Sequence, residues 1–125
     1  MSAIALFSDL YNYYLYAGTA NMKKSFDGLT GIVINELGRG INEKDVFIFL
    51  NKERTHIKVL LYEADGFTLF YRRLHKGRFT LPAAAAVNGS VQLSAIELIS
   101  LLQGLHLHTL KIGPSYPHNF PVLKA

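Results

Sequence analysis

Residues 45–74 read DVFIFL, NKER, THIKVLLYE, ADG and FTLFYRRL, and the order of these five pieces decides the fold. In the first, Val46, Phe47, Ile48, Phe49 and Leu50 follow one another without a polar break. That is the pattern of a strand covered on both faces, and so central in its sheet. Asn51-Lys52-Glu53-Arg54 is a polar turn. From Thr55 to Glu63 the side chains alternate, with Ile57, Val59 and Leu61 on one face and His56, Lys58, Leu60 and Tyr62 on the other. Ala64-Asp65-Gly66 supplies a hairpin turn of the Asp-Gly kind, and Phe67 to Leu74 returns as a strand. Strands joined by such short turns predict an antiparallel meander.

Upstream, the aromatic run Tyr11 to Tyr16 predicts a first strand, ended by Ala17-Gly18-Thr19. Ser25 stands where it can cap a helix, with Asp27 in the first turn. Phe26, Leu29, Val33 and Leu37 recur at helical spacing, Ile32 widens the stripe, and Gly38-Arg39-Gly40 stops it. Gly28 and Gly31 each weaken this helix by about 1 kcal/mol relative to Ala, and their spacing predicts close approach by the sheet. Downstream, Pro82, Ala83 to Ala86 and Asn88-Gly89-Ser90 read as a connector. Ser94 and Glu97 form a capping box after Val91-Gln92-Leu93, and Leu93 is placed to staple against Leu98. Leu98, Leu101, Leu102 and Leu105 make an apolar face that Gly104 ends. The expectation is an α+β fold with an antiparallel sheet of about four strands: the meander 45–74 and an N-terminal strand 11–16. Helices 25–38 and 94–104 pack on it in a single domain, residues 1–105, before an irregular, Pro-containing tail, residues 106–125.

Composition narrows the function classes. A chain of 125 residues, 50% hydrophobic and 18% charged, suits one packed core, not a disordered tail protein. Without cysteine it has no disulfide, no thiolate nucleophile and no Cys-containing zinc site. No Lys or Arg precedes Lys23, so a secretion signal is not expected. The longest charge-free stretch, Phe79 to Ile96, holds Pro82, Asn88 and Gly89 and does not resemble a membrane span. These points predict a cytoplasmic protein with no membrane partner.

The net charge of +4 is small, but four of the 13 Lys and Arg residues, Arg72, Arg73, Lys76 and Arg78, fall within seven positions that contain no acid. Arg72 and Arg73 are adjacent on a strand and so belong on opposite faces. With Lys58 on the neighbouring strand, and Lys52 and Arg54 on its turn, they predict a basic rim interleaved with Tyr62, Tyr71 and His75. Such a rim suits phosphates, with rings available for bases. The bland reading is a solvated sheet face with a charged turn. Lys23 and Lys24, at the start of the first helix, form a second candidate phosphate contact, against which stands simple capping by Ser25.

Histidines 56, 75, 106, 108 and 118 show no ligand-like spacing with carboxylates, so no metal and no cofactor are expected. Asp27, Asp45 and Asp65 have structural explanations at a helix start, a strand edge and a turn, which leaves Glu63 as the single unexplained acid among the catalytic candidates. No nucleophile elbow, phosphate-binding glycine loop or metalloprotease helix occurs, and no catalytic residue is expected.

Taken as a string, Lys23-Lys24-Ser25-Phe26-Asp27-Gly28-Leu29, Asp45 to Asn51, Ile57-Lys58-Val59-Leu60, Asp65-Gly66 and Tyr71 to Phe79 resemble a known family. Leu93-Ser94 and Leu101-Leu102-Gln103-Gly104 extend the likeness, which runs from about Tyr14 to Gly104. The chain is similar to the small accessory protein, often called TnpB, encoded beside the transposase in insertion sequences of the family numbered sixty-six. In that family the glycine-basic-Phe block usually runs into Trp-Pro; here Leu81-Pro82 replaces it, so position 81 offers no ring for stacking. The resemblance implies a non-catalytic partner of an acidic-triad transposase. Its expected contacts are DNA at the element ends, the transposase and other insertion-sequence accessory proteins. Lys23, Lys24, Lys58, Arg72, Arg73, Lys76 and Arg78 are the expected nucleic-acid-binding residues. The alternative is a protein-interaction module that binds the transposase or another accessory subunit without touching DNA, for which Tyr116 and Phe120 in the tail are the candidate docking residues.

Overall fold

The structure is a computed structural model that describes residues 10–63 and 65–103. Leu105, Gly104 and the predicted tail lie outside the described residues. Eight segments follow in order: β1 (Asn12–Tyr16), α1 (Phe26–Gly31) continued by a π-helical stretch (Ile32–Glu36), β2 (Asp45–Leu50), β3 (His56–Glu63), β4 (Gly66–Arg73), β5 (Ser90–Leu93) and α2 (Ala95–Leu102). They form an α+β fold whose single sheet has the order β4-β3-β2-β1-β5. The sheet has five strands where about four were expected. β2 is its middle strand, as its unbroken apolar run requires, and β2, β3 and β4 form the antiparallel meander.

The expectation of a wholly antiparallel sheet needs correction. β1 pairs with β2 in parallel, Tyr13 beside Val46 and Leu15 beside Ile48. The chain between them carries the helix, and a helical crossover returns the second strand in the direction of the first. The fifth strand comes from residues read as connector and helix approach. Val87 and Ser90 bond each other across Asn88 (φ 53°) and Gly89 (φ 84°), a tight turn with both central residues left-handed. That turn aims Ser90–Leu93 antiparallel along β1. The four alanines before it form no helix.

Both faces of the sheet are covered, and the alternation of β3 predicts which residue goes where. Ile57, Val59 and Leu61 join Tyr13, Leu15, Val46, Ile48 and Leu50 beneath α2, whose Leu98 and Leu101 are buried among them. Leu60 joins Phe47 and Phe49 beneath Leu29, Ile32, Val33 and Leu37 of the first helix. The Ser94 capping box is present: its hydroxyl accepts from the Glu97 amide at 3.2 Å, and its own amide donates to Glu97 Oε1 at 2.9 Å. Leu93 and Leu98 are buried in one cluster, as a staple requires.

The first helix departs from expectation in three ways. Ser25 makes no side-chain cap. The run Thr30-Gly31-Ile32-Val33-Ile34, glycine among β-branched residues, is poor helix-forming sequence, and the backbone widens there so that Leu37 N–H donates to Ile32 O at 3.0 Å. Gly38 (φ 64°) then closes the end, as its sequence position indicates. The two helix glycines do not admit the sheet: a Cβ on Gly28 would meet the Lys24 stem, and one on Gly31 only the Asn35 amide at 4.0 Å. Close approach belongs instead to Gly89, where a Cβ would lie 3.1 Å from Leu37 Cδ2. Among the described residues, no helix is long and apolar enough to cross a membrane.

Candidate nucleic-acid interface

The meander brings the ends of β2 and β4 and the start of β3 to one end of the sheet. Lys52 and Arg54 are in the turn between β2 and β3, and Arg72 and Arg73 are at the end of β4. The segment after β4 is tied back to that turn: Leu74 N–H donates to Thr55 O at 2.9 Å and Phe79 N–H to Arg54 O at 2.7 Å. Phe79 is fully buried beneath the α2 side, while Lys76 and Arg78, on either side of the left-handed Gly77, remain exposed. A buried ring thus fixes the base of an otherwise solvated basic turn. The opposite end of the sheet carries Glu43, Asp45, Glu63 and Asp65, so charge is divided between the two ends. Two acids break the pattern near the basic end: Glu53, which accepts from Asn51 Nδ2, and Glu36, which accepts from Tyr16.

As the strand alternation predicts, Arg72 and Arg73 face opposite ways. Arg72 pairs with Ile57 and lies on the α2 side, whereas Arg73 pairs with His56 and lies on the α1 side. His56 is held by Asn51, whose side-chain oxygen accepts from the Thr55 and His56 amides at 2.9 and 3.0 Å. Its ring nitrogen lies 2.8 Å from Thr55 Oγ1 and 3.1 Å from Asn51 Nδ2.

Lys58 is placed differently from the other predicted residues. It is only 6% exposed, and its Nζ donates to Met22 O and Lys24 O, each at 2.7 Å. The same ammonium lies 4.9 Å from the centre of the Tyr71 ring. Its charge is therefore committed to the backbone of residues 22–24 and to a neighbouring ring, away from the solvent-facing rim. The period of β3 put it on the correct face, but that face is covered there by the segment leading into α1. This anchorage carries Lys23 and Lys24, both exposed, across β3 toward Tyr71. The predicted set is thus divided: Lys23, Lys24 and Arg73 belong to the α1 side, Arg72 to the α2 side, Lys76 and Arg78 to the turn, and Lys58 to the interior.

Sequence reasoning did not single out Arg39. Its guanidinium stacks 3.8 Å above the Tyr14 ring, beside a groove of about 360 Å³ that Asn88, Ser90 and Gln92 also line. No periodicity announces that contact, since Arg39 stands in the glycine stop after the helix. Burial and the nearby Glu63 push the Tyr11 hydroxyl above its ordinary pKa, and the hydrogen bond to Glu36 does the same for Tyr16. Among the described residues, no three His, Asp or Glu side chains gather in an arrangement that would hold a metal ion.

The model of the family described as IS66 Orf2 like protein matches residues 11–112, which span the whole described sheet, both helices and the basic turn. The chain belongs to the IS66 Orf2-like family. Membership associates it with transposition, as an insertion-sequence accessory protein, and agrees with the resemblance carried by its sequence blocks. This IS66 Orf2-like chain is also 28% identical over 92 residues to the uncharacterized protein y4hO of Sinorhizobium fredii, covering 74% of this chain and 78% of that one. No solved structure matches it significantly.

Proposed function

We propose that the protein is a non-catalytic accessory of transposition that contacts element DNA through the basic end of its sheet. The observation that supports this most directly is the exposed, acid-free group Arg72, Arg73, Lys76 and Arg78, held at its base by buried Phe79. Lys23 and Lys24 extend the group on the α1 side. Cations spread over two faces and a turn suit phosphates, which carry charge but no sequence information.

Fluorescence anisotropy with terminal-repeat duplex at increasing salt tests the reading. Log affinity should fall with log salt at about 0.9 per phosphate neutralised. Combined reversal of Arg72, Arg73 and Arg78 to Glu should abolish that dependence. Absence of salt-sensitive binding at low ionic strength would remove the proposal.

The outer edge of β4 supports the alternative, a module that binds the transposase or another accessory subunit. Leu74 donates inward to Thr55, so by alternation Phe67, Leu69, Tyr71 and Arg73 turn their N–H and C=O groups outward. A strand of a protein partner would complete that ladder. Co-purification with the transposase that survives the triple charge reversal, with transposition intact, would favour it.

A further inference from the structure

The aromatic side chains on the α1 side of the hairpin carry the DNA reading further. We infer that this face takes single-stranded DNA, with Tyr71 stacking on an unpaired base and Arg73 and Lys24 holding the adjoining phosphates. The inference rests on the DNA-contact reading above.

Phe67, Leu69, Tyr71 and Arg73 share this face of β4. Leu69 packs against the core, but Tyr71 is 55% and Phe67 38% exposed, and Phe26 of α1, whose ring centre lies 6.2 Å from that of Phe67, is 39% exposed. Tyr71 is also well braced. Lys58 Nζ lies 4.9 Å from the ring centre and the His56 ring 5.9 Å away. A ring fixed by its neighbours and still half open to solvent loses little freedom when a base stacks on it, and every base offers a π-face.

The cations sit correctly for that geometry. Arg73 is two residues beyond Tyr71 on the same face, and the Lys23–Lys24 segment is pinned to Lys58, the cross-strand partner of Tyr71. The Phe67 end is unsuited to phosphate, because Asp27, Glu63 and Asp65 lie nearby in the chain. The nucleic-acid backbone therefore belongs at Tyr71 and Arg73, and Phe67, about 13 Å along the strand, can meet only a base. β4 is the sheet edge, so no further strand crowds this face. Bases stacked and paired inside a duplex do not present their faces to such a ring. An unpaired strand does.

The test is anisotropy with the full chain, using a labelled single-stranded oligonucleotide from the element end and the duplex of the same sequence at equal salt. The single strand should bind more tightly, with a salt slope near 0.7 per phosphate contact. Tyr71→Ala should weaken single-strand binding roughly 5- to 100-fold, as expected for losing one stacked base, and leave duplex binding nearly unchanged. Tyr71→Phe should bind like the parent, which separates stacking from loss of the hydroxyl and guards against misfolding of the alanine variant. Salt-sensitive duplex binding with no preference for the single strand, and no effect of Tyr71→Ala, would overturn this inference and leave the DNA reading standing. No binding of either oligonucleotide at low salt would overturn both.

Discussion

Replacing Lys58 with Met tests whether its charge serves the fold. Met keeps an unbranched stem against Tyr71 and Phe49 but cannot donate to Met22 O and Lys24 O. Hydrogen bonds to charged groups contribute about 1.5–3 kcal/mol each, so the gross loss is about 3–6 kcal/mol. Part returns, because an ammonium no longer has to be held out of water and the two carbonyls regain some hydration at an edge where Lys23 and Lys24 are exposed. The expected net loss is about 2–4 kcal/mol. At about 3–5 °C per kcal/mol for a chain of this size, the melting temperature should fall by about 6–20 °C. Calorimetry or circular dichroism measures that fall. Hydrogen exchange should show its origin, with faster exchange at the Lys24 amide, which donates to Asn21 O within the released segment. DNA affinity, measured well below the melting temperature, should keep its salt slope, because a buried ammonium releases no counterion from DNA. An unchanged melting temperature together with a salt slope smaller by about one would refute the reasoning and return Lys58 to the rim.

Two further changes probe the packing and the buried hydroxyls. Gly89→Ala must hold φ near 84° and bring a Cβ to 3.1 Å from Leu37 Cδ2; the left-handed backbone alone costs about 1–2 kcal/mol, and an alanine variant as stable as the parent in urea would contradict the close approach. Tyr11→Phe removes a buried hydroxyl that has no hydrogen-bond partner, so the variant should gain about 1–2 kcal/mol at neutral pH, and a loss would show the hydroxyl to be satisfied. Tyr11 and Tyr16 are both raised above their ordinary value of 10.0, so the folded state keeps their protons longer than the unfolded one. Stability from this source is complete below about pH 10 and is lost as pH rises through the folded values. Tyr16→Phe, which also removes the bond to Glu36, should flatten the alkaline fall seen in pH-dependent urea titrations.

The parts of the fold written locally were legible. The unbroken run of β2 placed it at the centre, the alternation of β3 assigned its side chains to the two cores, and the Ser94–Glu97 box marked the start of α2 within one residue. What escaped were consequences of long-range pairing. The parallel pairing of β1 with β2 follows from where a crossover returns, and neither strand carries a residue that specifies it. The fifth strand did leave a signal, since Asn88-Gly89 is a strong two-residue hairpin sequence. It was masked by four alanines before it and by a strand only four residues long after it. The widened turn at Ile32 also left a trace, in β-branched residues crowded behind Gly31.

Lys58 shows why a charge cluster read from sequence overstates the surface it makes. Alternation assigns a residue to a face but cannot say whether that face is covered, and here the cover comes from residues 22–24, more than thirty positions upstream. A lysine facing a covered layer must find acceptors, and the nearest available are the carbonyls of an irregular segment that lacks its own ladder. Lys58 thereby fixes the segment that presents Lys23 and Lys24, so one residue predicted as a contact becomes the support for two others. The distinction matters for mutagenesis. Charge reversal at Lys58 would weaken DNA binding by releasing that segment, and without a stability measurement the result would pass for the loss of a phosphate contact. Charge reversal at Arg73, which is exposed and on the same face, carries no such ambiguity.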